Sequence, residues 1–361
     1  MPDNDRPGGR TALDRRVFLA GAAIGMVAGP AWGAGGWSRG DLAGVDPAMV
    51  DDLLLVDDMT VSAANLDRFR HRPAARHAHP AAPPAVPVAA PVPRTIPGLP
   101  GRPAVRTVQF DGDPGRQGQA RAQGRGAVVW MHGGGYIAGA AGIPVDLRVA
   151  AREHGWLVVS VDYRLAPEAE FPAALDDNLA ALCWVHDHAD TLGVDPARIA
   201  IGGASAGGGH AAMLAFAARD RSVVRPACQI LIYPMLDDRT GSSRPARPGT
   251  GQFIWTAASN RFGWSSLLGM PAGGARVPAT AVPARRRDLA GLPPAFIGVG
   301  TLDLFLDEDL AYAAALTAAG VTVDLRVVPA AFHAFDGVAP QAPASRSFTA
   351  QWIATLAAAI G

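Results

Sequence analysis

An α/β fold, with a mostly parallel central sheet flanked by helices, is predicted by three observations. From residue 104 onward, short apolar runs of strand length alternate with longer stretches of helical spacing. Those runs carry Val, Ile and Leu on consecutive positions, as strands covered on both faces do. Hydrophobic residues make up 49% of the chain and charged residues 18%, which supplies the apolar surface such a sheet must bury. A length of 361 residues suits one large domain with appendages better than two separate enzymes.

Residues 1–36 read as an address label. Asp14-Arg15-Arg16-Val17-Phe18-Leu19 precedes an Ala/Gly-rich apolar run and Pro30-Ala31-Trp32-Gly33, so the stretch resembles a twin-arginine export signal with small residues at a cleavage point after Gly33. The run is shorter than the ~20 apolar residues that span a bilayer, so no stable membrane anchor is expected. Export to the periplasm or outside the cell follows; an N-terminal amphipathic helix on a cytoplasmic enzyme is the alternative. Residues 40–72 have mixed, partly helical character around Leu53, Leu54, Leu55 and Val56, and 73–103, rich in Pro and Ala, read as an extended linker.

Within 104–361 the strands are expected at 127–131, 157–161, 198–202, 228–233, 295–300 and 321–328. Helices are expected at 172–189, 208–219, 307–319 and 345–360, with a long irregular segment at 237–292. Asp307, Glu308 and Asp309 fall in a helix's first turn, where free N–H groups favour negative charge. Net charge is zero and the pI about 7.1, so no basic field exists to hold nucleic acid, and a small neutral ligand suits the balance better. Cys183 and Cys228 lack the spacing of a metal or redox site and read as buried thiols.

The chemistry is carried by three motifs. Gly203-Ala204-Ser205-Ala206-Gly207 lies between a strand and a helix, a turn so tight that small neighbours are needed and the serine hydroxyl is thrust outward. No Lys follows these glycines, which argues against a phosphate-binding loop. His132-Gly133-Gly134-Gly135 ends the first of these strands, where unobstructed N–H groups can meet a developing oxyanion, joined by the N–H of Ala206. His132 itself reads as structural. A serine needs a histidine to take its proton and an acid to orient that histidine. His333 and Asp303 follow the last two strands at their C-terminal ends, so they can converge on Ser205. Asp336 is too near His333 in sequence to be preferred.

These residues resemble the bacterial hormone-sensitive-lipase-like esterase family, the α/β-hydrolase fold-3 enzymes, from about Val128 to Phe335. The resemblance is carried by the His132 to Gly135 run, by Asp162-Tyr163-Arg164-Leu165-Ala166-Pro167-Glu168 with Phe171-Pro172-Ala173, by the Ser205 elbow, by Asp303 with Asp307-Glu308, and by His333-Ala334-Phe335. It implies the α/β-hydrolase fold with a cap over the sheet's C-terminal edge, formed from the N-terminal part of 37–103 and an insertion at about 237–292. It also implies a triad of Ser205, Asp303 and His333 and oxyanion donors at Gly134, Gly135 and Ala206. Phe253, Trp255, Phe262 and Trp264 are then pocket or cap-core candidates. Ala204 and Ala334 depart from the family pattern without removing a reacting group, and Asp162, Arg164 and Glu168 suggest a buried ion-pair network.

The implied activity is a serine carboxylic-ester hydrolase acting on short to medium acyl esters, with no cofactor and no metal. A non-catalytic small-molecule receptor on the same fold, or an amidase or deacetylase with the same triad, are the alternatives. The expected partner is a small-molecule ester; a homodimer is compatible with the sequence.

Overall fold

The computed structural model describes residues 36–72, 78–79, 88–113 and 124–361. The export signal expected over 1–36 therefore lies outside the described residues, Gly36 excepted. Among the described residues eight strands form one sheet: β1 (Val92–Ile96), β2 (Val105–Asp111), β3 (Arg125–Met131), β4 (Leu157–Asp162), β5 (Val194–Ala204), β6 (Gln229–Ile232), β7 (Ala295–Gly300) and β8 (Val323–Val328). Their spatial order is β1-β2-β4-β3-β5-β6-β7-β8, antiparallel at β1/β2 and β2/β4 and parallel elsewhere.

The helices are α1 (Val50–Leu53), α2 (Leu66–Arg70), α3 (Val145–His154), α4 (Ala173–Asp187), α5 (Ala189–Leu192), α6 (Ala206–Asp220), α7 (Ala257–Leu268), α8 (Leu306–Ala318), α9 (Phe335–Val338) and α10 (Pro343–Ile360). Every residue of β3 is buried, and alternation along it divides the core. Ala127, Val129 and Met131 join one apolar cluster with α4, α6 and α8; Val128 and Trp130 join the other with α3 and α10. Helices on both faces make this the α/β-hydrolase arrangement expected, and they explain why the central strands read as continuous apolar runs.

Two expectations need correction. The Pro/Ala-rich stretch is not all linker, because residues 92–96 form β1, paired with β2. Pro93 lacks an N–H and is tolerated because β1 is an edge strand. The segment 237–292 is not wholly irregular, because it contains α7, capped where Thr256 Oγ1 accepts from Ser259 N–H and closed by Gly269 at φ 64. Val61 N–H donates to Ser259 Oγ (3.1 Å), and Arg70 Nε donates to the Ile137 carbonyl (2.7 Å), so the 59–72 stretch is fastened to α7 and to the loop after β3. Among the described residues no helix is long and apolar enough to cross a membrane.

Candidate active site

Strands β3, β5, β7 and β8 deliver every candidate residue to the sheet's C-terminal edge. β5 ends at Ala204 and α6 begins at Ala206, leaving Ser205 alone on the turn at φ 57, ψ −122. A Cβ on either Gly203 or Gly207 would overlap the Met131 carbonyl, so only glycine lets the elbow pass this close to the end of β3. The Ser205 N–H is engaged by the Ile232 carbonyl (2.9 Å). That leaves the Ala206 N–H, first in α6, without an intrahelical partner.

Asp303 and His333 come to the same point. His333 Nε2 lies 2.9 Å from Ser205 Oγ, and His333 Nδ1 lies 2.8 Å from Asp303 Oδ2. The other Asp303 oxygen accepts from the Phe305 N–H (2.9 Å). All three side chains are buried, with Ser205 the most accessible at 8%. The His333 ring is held edge-on by Tyr233 (4.9 Å between centroids) and Phe305 (5.1 Å). A carboxylate only accepts, so Nδ1 carries the proton toward Asp303 and Nε2 is free to accept from the serine hydroxyl.

The glycine loop lies against the elbow. A Cβ on Gly133 would sit 3.1 Å from the Ala204 carbonyl and 3.5 Å from Ser205 Cβ. Gly134 and Gly135 have φ of 128° and 62°, and the Trp255 ring packs onto Gly135 so closely that any Cβ there would overlap it. His132 supports the loop from below. Its ring stacks on Tyr163 (4.1 Å, 8°), whose hydroxyl donates to the His132 carbonyl (2.6 Å), and burial lowers its pKa so that it stays neutral. This fits the structural role read from the sequence.

Other expected groups are placed differently. Asp162, Arg164 and Glu168 do not form one network. Asp162 pairs with Arg106 (2.6 Å), Arg164 with Asp177 (2.8 Å), and the exposed Glu168 with Arg70 (2.7 Å), so each clamps a separate segment. Asp307, Glu308 and Asp309 do occupy the first turn of α8, yet only Asp307 is solvent-facing, paired with Arg247 (2.6 Å). Glu308 is buried and accepts from the N–H groups of Leu236 (2.7 Å) and Asp237 (3.1 Å). Asp336 accepts from the Tyr233 hydroxyl (2.7 Å) instead of facing His333 Nδ1. Of the thiols, Cys228 is buried and Cys183 only partly so; both are free.

Sequence reasoning missed Tyr136 and His210, and it gave Glu308 only a place in a helix's first turn, not its contact with the loop after β6. The Tyr136 hydroxyl donates to the Met235 carbonyl (2.7 Å), and the Met235 N–H donates to the Ser205 carbonyl (3.0 Å). His210 packs edge-on against Tyr136 (4.8 Å) and Tyr163 (4.5 Å). These contacts join residues far apart in the chain, and no local pattern announces them.

A family profile described as alpha/beta hydrolase fold, Abhydrolase_3, matches residues 128–337. The chain belongs to this family. It is 38% identical over 243 residues to carboxylesterase NlhH of Mycobacterium tuberculosis, covering 64% of this chain and 73% of that one. Esterase LipI of the same species is 34% identical over 287 residues, covering 73% and 85%. Among solved structures, one described as bacterial heroin esterase superimposes with a TM-score of 0.74 at 30% identity, covering 89% of this chain and 99% of that one. The expectations of the family, of the fold and of a carboxylesterase-type hydrolase are borne out by these relatives.

Proposed function

We propose that this protein is a serine carboxylesterase that cleaves short to medium acyl esters through an acyl-enzyme. The observation that carries the reading is the hydrogen-bonded chain from Ser205 Oγ through His333 to Asp303, standing at the strand-to-helix elbow. In the reaction, His333 Nε2 takes the Ser205 proton as Oγ attacks the ester carbonyl, and Asp303 holds the resulting imidazolium. The N–H groups of Gly134, Gly135 and Ala206 stabilise the oxyanion. Collapse of the intermediate breaks the ester C–O bond, and His333 returns the proton to the leaving alcohol. Water, deprotonated by the same imidazole, then releases the acid and restores Ser205. No cofactor enters this sequence. The N-terminal stretch fastened to α7 and the 237–292 insertion would together form the cap over this edge. The presence of His333 within hydrogen-bond distance of Ser205 favours a hydrolase over a receptor on the same fold.

The test is hydrolysis of p-nitrophenyl butyrate by the wild type and by Ser205→Ala, with mass mapping of a fluorophosphonate adduct. The expected loss is on the order of a million-fold in kcat, the scale seen when a nucleophile is removed, with the adduct on Ser205. Folded wild-type protein that neither turns over nor takes the label would establish the receptor reading instead.

A further inference from the structure

Tyr233, the residue after β6, grips the histidine loop at three points. Its ring meets the His333 imidazole edge-on (4.9 Å between centroids, 65°) and the Phe335 ring (6.3 Å, 67°), and its hydroxyl donates to Asp336 Oδ1 (2.7 Å). Burial first, and then the Asp336 charge, hold the phenol well above its ordinary value of 10, so the hydroxyl keeps the proton it donates. The backbone beneath this ring is strained. Tyr233 has φ 34, a region that bulky residues rarely enter, and the Pro234 that follows restricts it further. Its N–H donates to the Gly298 carbonyl of β7 (2.6 Å), so the end of the sheet holds it there. Strain kept where a side chain meets the histidine suggests that the contact has a function. The second ring against the imidazole, Phe305 (5.1 Å, 90°), comes from the other apolar cluster and carries no polar group to tether it.

Before attack, the imidazole is held at both nitrogens, Nδ1 by Asp303 (2.8 Å) and Nε2 by Ser205 Oγ (2.9 Å). Once Oγ is bonded to the acyl carbon and its proton sits on Nε2, the second anchor weakens. The imidazolium must then turn its Nε2–H from Oγ to the leaving oxygen, which takes the proton together with the electron pair of the breaking C–O bond. We propose that Tyr233 is a positioning residue for this step: its hydroxyl, tethered to Asp336, fixes the ring that keeps the imidazolium aligned while the proton passes to the leaving alcohol. The inference rests on the reading of Ser205 as an acylated nucleophile.

The readout is kcat/KM for ethyl butyrate and p-nitrophenyl butyrate, with Tm as the check on folding. The two esters share an acyl group, but ethoxide must receive the proton as it leaves, whereas p-nitrophenolate departs without one. Tyr233→Phe keeps the ring and removes the tether. Asp336→Ala removes the tether's other end, and Asp336→Asn removes the charge while keeping a group that pairs with a hydroxyl. In the Phe and Ala variants kcat/KM falls about tenfold further for ethyl butyrate than for p-nitrophenyl butyrate, a share of the roughly 10²–10⁴-fold that a positioned acid or base contributes. The double variant loses no more than the worse single, because both break one tether, and Asp336→Asn keeps the ratio of the two esters within about twofold of wild type. Should Tyr233→Phe not fold, the contrast between Ala and Asn at 336 carries the test. Equal losses on both esters, wild-type behaviour in Tyr233→Phe, or a loss in Asp336→Asn matching that in Asp336→Ala overturns the tethered ring while leaving a Ser205-dependent esterase intact. Wild-type protein inert toward every ester, or unaffected by Ser205→Ala, sinks the esterase reading and this inference with it.

Discussion

Ser205 holds φ 57, ψ −122, a conformation that costs an L residue about 1–3 kcal/mol. The hydrogen bonds around it hold it there: its N–H goes to Ile232, and its carbonyl accepts from Met235 and Gly209. The geometry that exposes the hydroxyl is thus imposed by neighbours rather than chosen by the serine. Ala334 is also left-handed, at φ 59, ψ 29, immediately after His333 and at the head of α9. The residue is strained in that conformation although its methyl rests against the apolar core, and glycine would adopt it without strain. Ala334→Gly should therefore raise stability by about 0.5–1 kcal/mol, the released strain partly offset by the entropy of a glycine in the unfolded chain. Denaturant unfolding of the two proteins checks this, and a lower midpoint for the glycine variant refutes it. Because Ala334 touches no reacting atom, esterase kcat should change little.

At the scale of elements, α8 does more than cover the sheet. Glu308, in the first turn of α8, receives the N–H groups of Leu236 and Asp237, and that same loop binds the Ser205 carbonyl through Met235 and the Tyr136 hydroxyl through the Met235 carbonyl. The loop after β6 therefore ties the acid-bearing helix, the elbow and the glycine loop together. Glu308→Ala would leave two buried N–H groups without acceptors, at about 1–3 kcal/mol each. It should lower the unfolding free energy by about 2–5 kcal/mol and reduce kcat more than it raises KM. Glu308→Gln keeps an acceptor in place and should restore most of both; equal losses in Ala and Gln would show that charge, not hydrogen bonding, matters. Such long-range ties were not legible in the sequence, whereas β3, β4 and β7 were, because strands buried on both faces are continuously apolar. β1 escaped notice because Pro93 and Arg94 break any strand pattern, and α7 because Asn260, Gly263 and three serines dilute its apolar spacing. Ser205, His333 and Asp303 were legible for a different reason: each follows a strand that could be read, and the fold brings strand ends together.

Across the whole molecule, the parallel sheet that gathers the site at one edge also buries titratable groups there, and their effects on stability have opposite signs. Burial pushes the His210 imidazole down to about 3, with His132 adding to the effect. The unfolded chain takes that proton near the ordinary value of 6.5, so stability is lost as pH falls from about 6.5 toward 3. Asp309 is fully buried with both oxygens unpartnered, and burial, then Glu308, then Asp303 raise its pKa well above 3.8. The folded state keeps this proton after the unfolded chain has released it. Stability is therefore full below about 3.8 and lost as pH rises toward the folded value. Asp309→Asn places a neutral side chain of the same shape in the same space, so it removes the loss on the alkaline side while leaving the His210 loss on the acid side. Thermal unfolding between pH 5 and 8 should show the variant gaining on wild type as pH rises, with both falling alike below 6.5 apart from that offset. A constant difference at every pH would mean that Asp309 is ionised in the folded protein throughout the range, its charge met by the surrounding structure.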